Sequence, residues 1–76
     1  MTVIQLRRYA YRCARAVGLP IPIAEQIVVR VLFRVLPSDT GMQWGGAPRR
    51  HLAHSEILMR DIVHDEIQKS TMAEGV

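Results

Sequence analysis

Residues 21–36 read IPIAEQIVVRVLFRVL and form the most apolar stretch of the chain. The β-branched run within this stretch, residues 27–35, has the composition of a strand. Three polar residues, however, recur every four positions and share one narrow helical face: Gln26, Arg30 and Arg34. Pro22 also suits the first turn of a helix, where its missing N–H is not needed. The sequence therefore predicts a helix over about 22–36, with a strand as the alternative.

The apolar surface of this predicted helix divides into two stripes. The first stripe comprises Ala24, Ile27, Val28, Val31, Leu32 and Val35. The second stripe comprises Val29, Phe33 and Leu36. Two companion helices can cover the first stripe, but covering the second needs more protein than 76 residues provide. We therefore expect self-association through the second stripe, which makes the protein a homo-oligomer. The alternative is that a loop folds Met42 and Trp44 over it.

Breaks in the sequence divide the rest of the chain into two further helical segments. Residues 18–22 read GLPIP, residues 37–41 read PSDTG and residues 45–48 read GGAP, and each of these combinations of glycine and proline interrupts a helix. The predicted fold is all-α: one small three-helix domain over residues 1–76. Its helices cover about 3–17, about 22–36 and about 49–70, and a loop covers 37–48.

Both outer segments have helical periodicity. In the first, one arc collects Val3, Leu6, Tyr9, Ala10, Cys13, Ala14 and Val17. In the third, one side collects Leu52, Leu58, Met59, Ile62, Val63 and Ile67. Glu56 and Glu66 lie inside or beside this third stripe. Either the stripe is not wholly buried in a monomer, or these two carboxylates are paired with arginines.

Charge is distributed unevenly along the chain, although the formal net charge is only +3. Residues 1–24 contain four arginines and no acid, whereas six of the seven acids follow residue 38. Five residues of the first helix and one loop residue are candidates for contact with a partner: Arg7, Arg8, Tyr11, Arg12, Arg15 and Trp44. The alternative is that these charges stabilise the fold or a dimer by forming ion pairs. Arg8, Arg12 and Arg15 could pair with Asp61, Asp65 and Glu66, within one chain or across a dimer.

The sequence contains no pattern that predicts catalysis or cofactor binding. His51 with His54, and Asp61 with His64 and Asp65, form two incomplete metal-ligand clusters that lie too far apart to share one ion. Cys13 lies in the apolar stripe of the first helix, where a cysteine usually packs as a small hydrophobic residue and is not a nucleophile. No glycine-rich phosphate loop or nucleophile elbow is present. We therefore expect no enzyme activity, no catalytic residues, no cofactor and no metal.

The cysteine count, the apolar stretch and the arginines lead to expectations about the cellular compartment and the class of partner. The single cysteine cannot form an internal disulfide, so a reducing, cytoplasmic location is expected. The apolar stretch 21–36 is short and charged for a membrane span, and docking on a membrane surface is not expected. We expect a small helical regulator, inhibitor or adaptor that binds another protein stoichiometrically, such as a bacterial or phage accessory factor. The alternative is a nucleic-acid-binding module whose first-helix arginines contact phosphates.

Overall fold

The computed structural model describes residues 1–36 and 51–74. Three helices are present in these ranges: α1 over Val3–Ala16, α2 over Ile21–Val35 and α3 over Glu56–Glu74. Each helix packs against the other two, and no strand occurs in the described ranges. The predicted all-α three-helix fold is thereby confirmed, and the strand alternative for residues 27–35 is wrong. The loop over 37–48, including Met42 and Trp44, lies outside the described residues.

Helix α1 begins and ends with hydrogen bonds that its local sequence supplies. At the start, the Thr2 hydroxyl accepts from the Gln5 N–H at 3.2 Å, and the Gln5 side chain accepts from the Thr2 N–H at 2.9 Å. At the end, Gly18 has a φ of 94°, in the left-handed region that favours glycine. The Leu19 N–H donates to the Ala14 carbonyl and the Gly18 N–H to the Arg15 carbonyl, the pattern of a Schellman motif. The chain therefore reverses within a few residues, which sets α2 beside α1.

Helix α2 begins at the two prolines that separate it from α1. Pro20 is the N-cap residue and Pro22 lies in the first turn, as expected for residues that cannot donate a backbone hydrogen bond. The first stripe of α2 faces the other two helices. Four of its members are buried and the other two, Val28 and Leu32, are half-buried. Small residues, Ala10 and Ala14 on α1 and Ala24 on α2, are buried and permit close helix packing.

Helix α3 begins later than the sequence patterning predicted, at Glu56 instead of about residue 49, and continues to Glu74 instead of about residue 70. Ser55 explains the start, because its hydroxyl accepts from the Leu58 N–H at 3.1 Å and so caps the first turn. The residues shortly before Ser55 are not helical and contact the start of the chain. The Leu52 N–H donates to the Met1 carbonyl at 2.9 Å, and His51 forms a β-bridge with Thr2. This pairing holds the segment before α3 against the start of α1.

The core combines residues from all three helices and the α1–α2 turn. Its buried members are Leu6, Ala10, Ala14, Leu19, Ala24, Ile27, Val31, Val35, Met59, Ile62, Val63 and Ile67. Two residues assigned to the apolar stripes of the two outer helices are exposed instead, Val17 and Leu58. Val17 follows the last turn of α1, and Leu58 lies in the first turn of α3.

Candidate protein-binding groove

The outer side of the α1–α2 pair, which α3 does not line, carries an open groove of about 590 Å³. We call it the α1–α2 groove. Four residues of α1 and three of α2 line it: Ile4, Arg7, Arg8, Tyr11, Glu25, Val28 and Val29. One wall is therefore cationic, whereas the valines of α2 and Ile4 make the rest largely apolar. Three partner-contact candidates from the sequence, Arg7, Arg8 and Tyr11, meet here with Val29, a self-association candidate.

The arginines of α1 divide into those that line the groove and those that do not. Arg7 and Arg8 line it and are exposed. Within residues 1–36 and 51–74 neither forms an ion pair. Arg12 is exposed but does not line the groove. Arg15 donates to the Leu19 carbonyl at 2.8 Å, so it closes the turn between the helices. Two of the four arginine candidates are thus placed to contact a ligand in the groove.

An apolar ridge on α2 continues from the groove toward the end of the helix. Val29 is 49% exposed, and Phe33, one turn later, is 66% exposed. Leu36 is half-buried and contributes less surface. The second stripe of α2 is therefore accessible at Val29 and Phe33, and self-association through it stays a prediction. The proposed cover by Met42 and Trp44 concerns residues outside the described ranges.

The other flank of α2 carries an ion cluster that joins it to α3. The Arg34 guanidinium donates to the Asp65 carboxylate at 2.8 Å and to the Glu66 carboxylate at 3.0 Å. Glu66 is only 6% exposed, so one charged residue of this cluster is buried. The predicted intrachain pairing of Asp65 and Glu66 with the arginines of α1 is therefore wrong. The expectation that the acids beside the α3 stripe pair with arginines is confirmed, because Glu56 also contacts Arg60 at 3.5 Å.

Stability is expected to fall in acid because of Asp65. Hydrogen bonds from Arg34 and Lys69 hold the pKa of the Asp65 carboxyl below its ordinary value. A carboxylate with a lowered pKa stabilises the fold above its unfolded-state pKa of about 4, and this contribution disappears as the pH falls through the folded-state pKa. The urea midpoint should therefore drop more between about pH 6 and about pH 3 in the wild type than in Asp65→Asn. Equal drops in the two proteins would contradict this assignment.

A second polar contact joins α1 to α3. The Tyr9 hydroxyl lies 3.0 Å from Nε2 of His64, and the two rings meet edge to face. The Arg60 guanidinium lies 5.7 Å from the centre of the Tyr9 ring, within the range of a cation–π interaction. Partial burial, together with a hydrogen bond to Cys13, raises the pKa of the Tyr9 phenol. The sequence placed Tyr9 in the apolar arc of α1 and did not reveal this pairing.

The incomplete metal-ligand clusters do not assemble into a larger site in the described ranges. Within residues 1–36 and 51–74, no three His, Cys, Asp or Glu side chains lie close enough together to hold a metal ion. Asp65 is instead occupied by Arg34 and Lys69. Cys13 is a half-buried free thiol on α1. Among the described helices, none combines the length and the hydropathy that a bilayer-spanning segment requires.

Comparison with known proteins adds no further constraint on the groove. No protein-family model, curated protein or solved structure matches the chain. The function is therefore argued from the geometry and charge of the α1–α2 groove alone.

Proposed function

We propose that this protein acts by stoichiometric binding to another protein through the α1–α2 groove and the adjoining ridge of Val29 and Phe33. One observation carries the proposal. The exposed aromatic side chain of Phe33 adjoins a groove that contains two arginines, Arg7 and Arg8, which form no ion pair in the described ranges. Aromatic residues and arginine are enriched in protein interfaces and among the residues that contribute most to binding. A regulator, inhibitor or adaptor requires no catalytic group and fits this surface.

Nucleic-acid binding by the α1 arginines is the second candidate, favoured by the exposure of Arg7, Arg8 and Arg12. The groove argues against it, because phosphates gain nothing from an apolar ridge and Glu25 on the groove repels them. Salt separates the two candidates. The affinity for a phosphate chain falls steeply as salt rises, by roughly one log unit per log unit of salt for each phosphate contacted.

Site-specific photo-crosslinking in a host lysate tests the proposal. A photoreactive phenylalanine analogue at position 33 is expected to give one dominant polypeptide adduct. The same analogue at position 72 serves as the matched control, because Met72 is also 66% exposed but lies on α3. Adding Arg8→Glu to the position 33 protein should reduce the adduct by roughly tenfold.

Two results would contradict the proposal. One is equal labelling from positions 33 and 72, which would mean that the ridge is not a preferred contact. The other is an adduct from position 33 that consists of nucleic acid and disappears as salt is raised, which would favour the second candidate.

A further inference from the structure

We infer that the occupant of the α1–α2 groove is an amphipathic helix of the partner whose apolar stripe is bordered by carboxylates. This inference rests on the proposed function and specifies the chemistry of the partner. Two features of the molecule support it: the packing of the protein's own α3 on the opposite flank of α2, and the charge of the groove.

Helix α3 shows what kind of helix α2 accepts. Its buried face contains apolar residues, including Ile62 and Val63, and a buried carboxylate, Glu66, beside them. The Arg34 guanidinium of α2 binds this carboxylate at 3.0 Å and the neighbouring Asp65 carboxylate at 2.8 Å. An apolar stripe bordered by acids is therefore held by apolar packing on α2 and by an arginine at its edge.

The α1–α2 groove presents the same combination on the flank of α2 that α3 does not cover. Val28 and Val29 supply apolar surface, and the edge arginines come from α1 instead of α2, as Arg7 and Arg8. From Glu25 to Phe33 the groove and the ridge together span nine residues of α2, a rise of about 12 Å at ~1.5 Å per residue. This length matches about two turns of a docked helix. A helix lying in a groove between two helices is a common mode of peptide recognition.

Electrostatics disfavours a second copy of this chain on the same surface. The residues that line the groove include two arginines, Arg7 and Arg8, and one glutamate, Glu25, so two grooves placed face to face would both bring a net positive charge. Like charges brought together across an interface oppose binding. A partner helix with carboxylates beside its apolar stripe would instead be attracted to these arginines. The homo-oligomer expected from the second stripe of α2 therefore becomes a competing outcome of the test.

Two synthetic helical peptides provide the test. Both are about five turns long, ~18 residues at ~3.6 residues per turn, and share one leucine stripe. One carries glutamate beside the stripe, and the other carries lysine at the same positions. Titration into the full chain labelled with ¹⁵N is expected to shift the amide resonances of Arg8, Tyr11 and Val29 with the glutamate peptide. The amide of Gln68, on the exposed face of α3, should not shift.

Charge-reversed variants of α1 make the test specific. Arg8→Glu should weaken binding of the glutamate peptide by roughly tenfold and strengthen binding of the lysine peptide. Arg12→Glu is the matched control, because it makes the same change in net charge on the same helix outside the groove. It should change the affinity by less than about twofold. Both arginines are exposed, and circular dichroism establishes that each variant remains folded.

Five outcomes would overturn the inference. Equal binding of the two peptides would show that charge does not select the occupant. Shifts confined to α3 would place the ligand elsewhere. Concentration-dependent shifts of the groove amides without peptide, together with a dimer in sedimentation, would assign the groove to a second copy. A short single-stranded DNA that shifts the same amides more strongly than the glutamate peptide would assign it to nucleic acid. If neither peptide binds but position 33 still crosslinks to a polypeptide, the inference fails and the proposed function stands.

Discussion

Replacing Ile27 with alanine is expected to lower the free energy of unfolding by about 3 kcal/mol. Ile27 lies in the first stripe of α2 and is fully buried in the core shared by the three helices. Truncation removes its apolar contacts and leaves a cavity that a close-packed interior fills only in part. A domain of this size has a total stability of only about 4–11 kcal/mol, so the loss is large. Urea unfolding followed by circular dichroism measures it.

Phe33→Ala is the matched control on the same helix. It removes a larger apolar side chain than Ile27→Ala, but from a position that is 66% exposed. The expected loss is less than about 0.5 kcal/mol, because little surface is withdrawn from contact with the protein. A loss comparable to that of Ile27→Ala would show that Phe33 is covered in solution. The ridge would then be part of the fold, and the argument for a binding surface would fail.

Replacing Arg34 with methionine is expected to destabilise the protein by about 2 kcal/mol, because it leaves the carboxylate of Glu66 without Arg34 in a buried position. Removing one member of a fully buried ion pair costs more than this, about 3–5 kcal/mol. Arg34 is partly exposed, and water can therefore compensate in part. Thermal or urea unfolding of the purified variant at neutral pH measures the loss.

The double variant Arg34→Met with Glu66→Met, compared with each single variant, separates loss of the ion pair from loss of side-chain packing. Once both charged groups are replaced by apolar side chains, no buried carboxylate needs a partner, and most of the lost stability should return. A double variant whose loss equals the sum of the two single losses would show that Arg34 and Glu66 do not interact. The packing of α3 on α2 would then no longer support the inference about the partner helix.

Much of the fold was predictable from the sequence, because the patterns that determine a helix and its ends involve residues that are close together in the chain. The spacing of Gln26, Arg30 and Arg34 correctly predicted a helix in α2 despite its β-branched composition. Glycine and proline marked the α1–α2 turn, where Gly18 has the positive φ that a helix end of this type requires. The start of α3 was missed. Ser55 caps the first turn, but whether the residues before it continue a helix depends on their pairing with Met1 and Thr2, which are distant in sequence.

The candidate site was predictable in part: Ile4, Glu25 and Val28 line the groove but were not among the candidates from the sequence. Arg7, Arg8 and Tyr11 were identified by the charge of α1, and Val29 by the second stripe of α2, on separate grounds. Nothing local to either segment indicates that they line one groove, or that Arg12 lies outside it. Arg34 was likewise assigned only to the polar face of α2, and its role in binding Glu66 became visible when α3 was in place.

The positions of α1 and α2, the presence of a third helix and most of the core thus follow from periodicity and helix breaks, which are properties of the sequence as written. The α1–α2 groove and the Arg34 cluster follow from packing. Which side chains face each other across two helices depends on the turn that sets the helices side by side and on the small residues that allow close approach. Contacts between segments far apart in the chain carry no periodic signal of their own, so three-dimensional neighbours such as Arg8 and Val29 are recognised only in the folded protein.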